Sequence, residues 1–172
     1  MSSTQEIYLP QETPSDDLKP ELETAAAGST PPSSAEESDQ ARNLAASSRV
    51  NPQLSLDLAL AAARTAAENG GTDIVVMDMS SRSAIFDYFV IVTGTSRRQL
   101  HAISEEIDHK LEDELNDKRM NIDGFDESRW IVLDYATVVV HLFDDDTRKF
   151  YSLEALWADA EKVDLTETLK DV

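Results

Sequence analysis

The sequence predicts an α/β domain, a mixed β-sheet flanked by helices. Three observations carry this. Apolar runs with the length and β-branched content of strands alternate with stretches of helical period. The run from Asp87 to Ser96, DYFVIVTGTS, delivers a strand to a turn and then to a helix start. Trp130–Asp134 and Thr137–Phe143 are two apolar segments separated by only Tyr135-Ala136, the spacing of an antiparallel hairpin.

The domain occupies part of the 172 residues. All six prolines lie at or before Pro52, and every aromatic but Tyr8 lies after it. Residues 1–50 are acidic and rich in Pro, Ser, Thr, Glu and Ala, with too little apolar surface to offset ordering entropy, so disorder is expected there. The folded domain is expected over 51–162, with a frayed tail at 163–172.

Asn51-Pro52 is a helix entry, asparagine capping and proline in the first turn. Leu54, Leu58, Ala61, Ala62 and Thr65 recur at helical spacing until Gly70-Gly71. Asp73 to Met79 reads as a strand, and Ser80 to Ala84 as a polar connection. Tyr88 to Thr93 is apolar on both faces, as in a central strand covered on both sides. A helix follows from about Ser96 to Asn116, with Leu100, Ile103, Ile107, Leu111 and Leu115 on one face. Met120 to Asp123 is a short strand ending at Gly124, and the hairpin comes next. Asp144-Asp145-Asp146 reads as a solvated turn, since adjacent carboxylates on an extended chain point apart. Ser152 is placed as the cap of a last helix, Leu153 to Glu161.

Several chemistries lack their motifs. There is no cysteine, hence no disulfide, thiolate site or thiol nucleophile. No apolar run approaches the ~20 residues that span a bilayer, and no secretory or transit signal is read at the N-terminus. GxxxxGK[ST], GxGxxG after the first strand, HExxH and GxSxG are all missing. Gly94 is the one glycine of its turn, which limits it as a phosphate cradle. Asp78 has no acidic partner at alternate strand positions to share magnesium. His101 and His109 are eight residues apart on one helix, too far to share a metal. No metal, cofactor or catalytic residue is expected, and a binding role is favoured over an enzyme.

Residues 51–172 hold 25 acids and 12 Lys plus Arg, a net charge of −13. Such a domain repels bare nucleic acid and suits a basic protein partner; the charge also serves solubility alone. In the hairpin, Trp130, Val132 and Asp134 share a face, while Ile131, Leu133 and Tyr135 point the other way. If the second set packs on the helices, the first displays an aromatic, an aliphatic and a carboxylate together, the composition of an interface hot spot. On burial statistics alone Trp130 reads as core.

The segments DIVVMDMS (73–80), DYFVIVTGTSRRQ (87–99), Gly124, WIVLDY (130–135), VVVHLF (138–143) and RKFYSLEALW (148–157), taken in order, make residues 56–160 resemble the Iojap-like ribosomal silencing factors. The resemblance implies a nucleotidyltransferase-like fold lacking the catalytic carboxylates. It implies a translational repressor in the bacterial cytoplasm that docks on the large ribosomal subunit through its ribosomal protein fourteen. Docking there blocks joining of the small subunit and lowers translation under nutrient limitation. By motif, the partner-binding residues are Trp130, Asp134 and Tyr135, with Val132 as their neighbour. A homodimer is a further implication of the resemblance, and the acidity of the domain leads to an expectation of little direct RNA contact. One departure stands out: family members carry Gly-Asp where this chain has Ala136-Thr137. Two other readings remain, a metal-dependent nucleotidyltransferase using Asp78 and Asp87, and an acidic adaptor acting through residues 1–50.

Overall fold

In the computed structural model, which describes residues 51–172, a six-stranded sheet runs in the order β3-β4-β5-β2-β1-β6. The strands are β1 (Thr72–Asp78), β2 (Tyr88–Gly94), β3 (Asn121–Asp123), β4 (Trp130–Asp134), β5 (Val138–Asp144) and β6 (Glu161–Lys162). Only the β2/β5 pairing is parallel; the others are antiparallel. β2 is buried at every position, as its two-sided apolar pattern requires. The expected α/β class, a mixed sheet with helices on it, is the architecture observed. The disorder expected for residues 1–50 lies outside the described residues.

Helix α1 (Pro52–Glu68) starts with proline at its first position, but the Asn51 side chain makes no capping bond. Its buried face is shifted from the expected stripe and takes in Ser55, Ala59, Ala63 and Ala66. Leu58, Ala59, Ala62, Ala63 and Ala66 are enclosed, while Leu54 stays 42% exposed. Small side chains let this helix lie close on the sheet, so alanines hold the contact in place of Leu54.

Helix α2 (Arg97–Asp108) begins at Ser96, whose hydroxyl accepts from the Gln99 backbone N–H at 3.2 Å. Gln99 returns its side-chain oxygen to the Thr95 N–H at 2.7 Å and to the Thr95 hydroxyl at 2.9 Å. Its amide nitrogen donates to the Gly70 carbonyl at 2.8 Å. Thus Ser96-x-x-Gln99, a variant of the capping box, fills the turn after β2 with the chain's own groups. The Thr95 N–H that a phosphate would seek is already bonded. Gly94 is required there because a Cβ would lie 2.5 Å from Leu100 Cδ2.

The helix continues as a π-helical segment, His109–Glu114. Leu115 donates to the Lys110 carbonyl, five residues back. The wider turn breaks the four-residue rhythm of the stripe. Leu100, Ile103, Ile107 and Leu111 are fully buried, but Leu115 is 44% exposed.

Two elements differ from expectation near the C-terminus. The aspartate triplet is a helix start instead of a turn. Asp144 caps α3 (Asp145–Tyr151), its Oδ1 accepting from Thr147 N–H at 2.7 Å. Acids in the first turn and bases in the last complement the helix dipole. Ser152 ends this helix in a left-handed conformation and makes no N-capping bond to α4 (Leu153–Leu156). The expected helix to Glu161 is therefore one short turn, and β6 follows it. The segment expected to fray after Lys162 is anchored at its start: Val163 N–H donates to the Val76 carbonyl at 2.9 Å, and Val163 and Leu165 pack on the core.

The hairpin turn resolves the Ala136 question. Ala136 sits at φ +68°, with the Thr137 N–H donating to the Tyr135 carbonyl at 2.8 Å. A three-residue turn closed in this way with positive φ has the pattern of the strained γ-turn. A Cβ disfavours that conformation by about 1–2 kcal/mol, part of which glycine recovers after its larger unfolded-state entropy. Ala136→Gly is expected to raise unfolding stability by about 1 kcal/mol. Urea denaturation checks this, and a loss of stability contradicts it.

Candidate functional site

The two faces of the sheet are covered unequally. On one, Ile131, Leu133, Val138, Val140 and Leu142 join Leu58, Ala62, Leu100, Ile103 and Leu111 in a core beneath α1 and α2. On the other, Met77, Met79, Phe89, Ile91, Phe143 and Ala160 form a second cluster, covered by Phe86 of the β1–β2 connection and Leu153 and Trp157 of the C-terminal segment, with Trp130 and Val139 packed against it. That cover lies over the β1–β2 side of the sheet. The β3–β4 end of this second face is left more open.

Register specifies what the open end displays. Val132 lies opposite His141 and Asp123, and Asp134 opposite Val139 and Asn121. Directly opposed residues share a face. Trp130, Val132, Asp134 and Val139 are half-buried there, and Asn121 and Asp123 are exposed. The face is apolar at its centre and carries Asp123 and Asp134 beside it.

Trp130 is neither free nor fully core. Its ring stacks on Phe143 (centroids 4.9 Å apart) and leans on Tyr151 at 4.8 Å. Its indole N–H donates to His141 Nδ1 at 3.2 Å. His141 is 7% exposed, and its Nε2 has no hydrogen-bond partner. Burial lowers its pKa from 6.5 to about 4, so the ring is neutral at pH 7 and can accept from Trp130. Asp134 has a structural duty as well, accepting the Ala136 N–H at 2.8 Å.

Three of the four residues selected from sequence, Trp130, Val132 and Asp134, therefore come together. Tyr135 does not join them. It is 2% exposed on the helix-covered face, and its hydroxyl donates to Asp108, which also pairs with Arg119. Burial pushes its phenol well above the ordinary value. Tyr135 pins the end of β4 to the region where α2 gives way to the π-helical turn.

Sequence reasoning missed Phe150 and Tyr151, which are 82% and 53% exposed on α3. The signal lay in the aspartate cap followed by two acids, then Arg148-Lys149, a helix pattern that would have placed these aromatics beside Trp130. Asp78 and Asp87, the acids considered for metal chemistry, accept hydrogen bonds from Ser80 and Ser55 respectively. Among the described residues no group of three or more His, Cys, Asp or Glu could hold a metal ion. No helix among them is long and apolar enough to cross a membrane.

A family model described as "Ribosomal silencing factor during starvation" matches residues 52–172. The chain belongs to this family. The ribosomal silencing factor of Bacillus subtilis is 46% identical over 94 residues, covering 54% of this chain and 78% of that protein. The chloroplastic Iojap protein of Zea mays is 31% identical over 113 residues, 64% of this chain and 47% of its own. Among solved structures, one from Chromobacterium violaceum gives a TM-score of 0.58 at 28% identity, over 60% of this chain and 85% of that one. One from Bacillus halodurans gives 0.52 at 29% identity, over 68% and 99%. The Iojap-like resemblance of the motifs is thus the family found, and its name places ribosomal silencing factors in translation regulation. Relatives carry the names of silencing factors, not of enzymes. The matched residues take in both the hairpin and α3.

Proposed function

We propose that this domain binds the large ribosomal subunit through ribosomal protein fourteen and sterically blocks the small subunit, lowering translation when nutrients are limiting. The observation that carries this is the incompletely covered sheet end, where Trp130, Val132 and Val139 form an apolar centre beside Asp123 and Asp134. A face of this kind suits a partner that is apolar at the contact and basic around it. The net charge of −13 over residues 51–172 favours protein contacts over rRNA and makes association salt-sensitive. The blocking needs no catalysis, only a folded body held in the volume the small subunit requires. The proposal places the protein in the bacterial cytoplasm, where ribosomes are, and assigns it no cofactor. Tyr135 serves by holding the end of β4 in place, and Trp130, Val132 and Asp134 make contact.

Sedimentation with isolated large and small subunits tests this. The expected result is comigration with the large subunit alone and loss of subunit joining. Removing residues 1–50 should leave binding intact, whereas an adaptor acting through its tail would lose it. Trp130→Ala is expected to weaken binding by about 2 kcal/mol, roughly thirtyfold. Asp134→Asn keeps an acceptor for the Ala136 N–H while removing the charge, and should weaken binding mainly at low salt. Undiminished cosedimentation of both variants would sink the hairpin assignment.

A further inference from the structure

Beside the sheet face, the loop from Gly124 to Arg129 and α3 enclose a groove of about 570 Å³. Three aromatic rings form a chain along it. Trp130 meets Tyr151 at 4.8 Å, and Tyr151 meets Phe150 edge to face at 5.1 Å. Phe150 leaves 82% of its surface in water, so its ring contributes little to the core of the free domain. Glu127 from the loop and Asp146 from α3 both line the groove. The basic lining residue, Arg129, is already paired with Asp144 at 2.8 Å. With Glu127 and Asp146 against Arg129, the net charge of the lining is negative.

Aromatic faces attract cations through their quadrupole, and carboxylates do so by charge. Together they favour an amphipathic cation whose alkyl stem lies on the rings while its head reaches the acids. We infer that this groove receives a lysine or arginine side chain of the ribosomal protein covering the neighbouring sheet face. The inference rests on the docking face proposed above, with which the groove is continuous through Trp130. It adds a second contact, on α3, to a surface otherwise confined to strands. The acidity of the domain and the basic character required of its partner make the charges complementary.

Two variants test it in the full chain. Phe150→Ala removes an exposed ring, and Glu127→Gln/Asp146→Asn removes the negative charge with little change of shape. Both are measured by cosedimentation with isolated large subunits at low and moderate salt, alongside thermal melting. The expected result is an unchanged melting temperature for Phe150→Ala, a slightly lower one for the charge variant because Asp146 lies in the first turn of α3, binding weakened about tenfold for each, and a shallower salt dependence for the charge variant. If both variants bind like the unmodified chain while Asp134→Asn binds more weakly, the groove contact is overturned and the sheet face stands. If both weaken binding while Asp134→Asn and Val132→Ala do not, the sheet face falls, and with it the claim that the protein covering that face supplies the side chain. If the unmodified chain does not bind large subunits, both fall together.

Discussion

Alanine at Gly124 is expected to destabilise the domain by about 3 kcal/mol, combining a left-handed backbone penalty with overpacking. Gly124 lies at φ +71°, and a Cβ there would stand 2.0 Å from the Trp130 carbonyl oxygen. That oxygen belongs to the backbone of β4, so no side-chain rotation relieves the overlap. Either the loop lifts away or β4 shifts. Lifting the loop strains the bond from Ser128 N–H to the Gly124 carbonyl, 3.0 Å long. It also pulls on His101, which stacks on Phe125 at 4.0 Å and bonds to its carbonyl at 2.8 Å. Urea denaturation gives the size of the effect, a lower midpoint at unchanged slope. A loss under about 1 kcal/mol would mean the loop moves freely and does not hold Trp130. Under the proposed function the same substitution should weaken binding to the large subunit, because Gly124 and Trp130 both line the groove.

The sheet was legible because its strands obey simple parity. Ile131 and Leu133 alternate with Trp130, Val132 and Asp134, and burial follows that alternation residue by residue. β2 was legible for the opposite reason, apolar on both faces and covered on both. What could not be read depended on tertiary cover. Periodicity marks Phe150 as an aromatic but does not say that α3 leaves it in water. β6 has two residues and no pattern of its own; its pairing with Met77 and Asp78 comes from where the chain returns. The π-helical segment moves Leu115 off the buried stripe without altering the sequence pattern. The proposed docking face was half legible. Parity grouped three of its residues and separated Tyr135, while the resemblance alone placed Tyr135 with the contacts. Its burial against Asp108 follows parity.

His141, buried, and Asp117, partly buried, should give opposite pH dependences that partly mask each other in the unmodified protein. His141 titrates near 4 in the fold because burial disfavours its cation, against 6.5 when exposed. As pH falls below 6.5 the unfolded chain takes up a proton that the folded chain refuses. The stability His141 contributes is thus complete above 6.5 and lost as pH drops towards 4. Over that window the loss is on the order of 3 kcal/mol at the limiting slope of one proton. Asp117 behaves inversely. Burial, and then the charge of Glu112, raise its carboxyl from 3.8 to about 6, and its Oδ2 has no partner. Here the folded chain holds the proton, so stability is complete below 3.8 and lost as pH rises through about 6. Asp117 is only partly buried, and solvent screening makes its effect the smaller of the two. Between pH 4 and 6 the two slopes oppose each other. His141→Asn supplies an oxygen acceptor for the Trp130 indole but does not titrate, and Asp117→Asn removes the buried acid. Relative to the unmodified chain, His141→Asn should gain stability progressively as pH falls from 6.5 to 4, and Asp117→Asn should gain it as pH rises from 4 to 6. Taking differences between urea curves at each pH removes the contribution of the other carboxylates. A stability difference for His141→Asn that stays constant from pH 4 to 7 would show that the imidazole under Trp130 titrates alike in the folded and unfolded chains. The indole bond would then lose its acceptor when the ring is protonated, and Trp130 would become the acid-sensitive part of the proposed docking face.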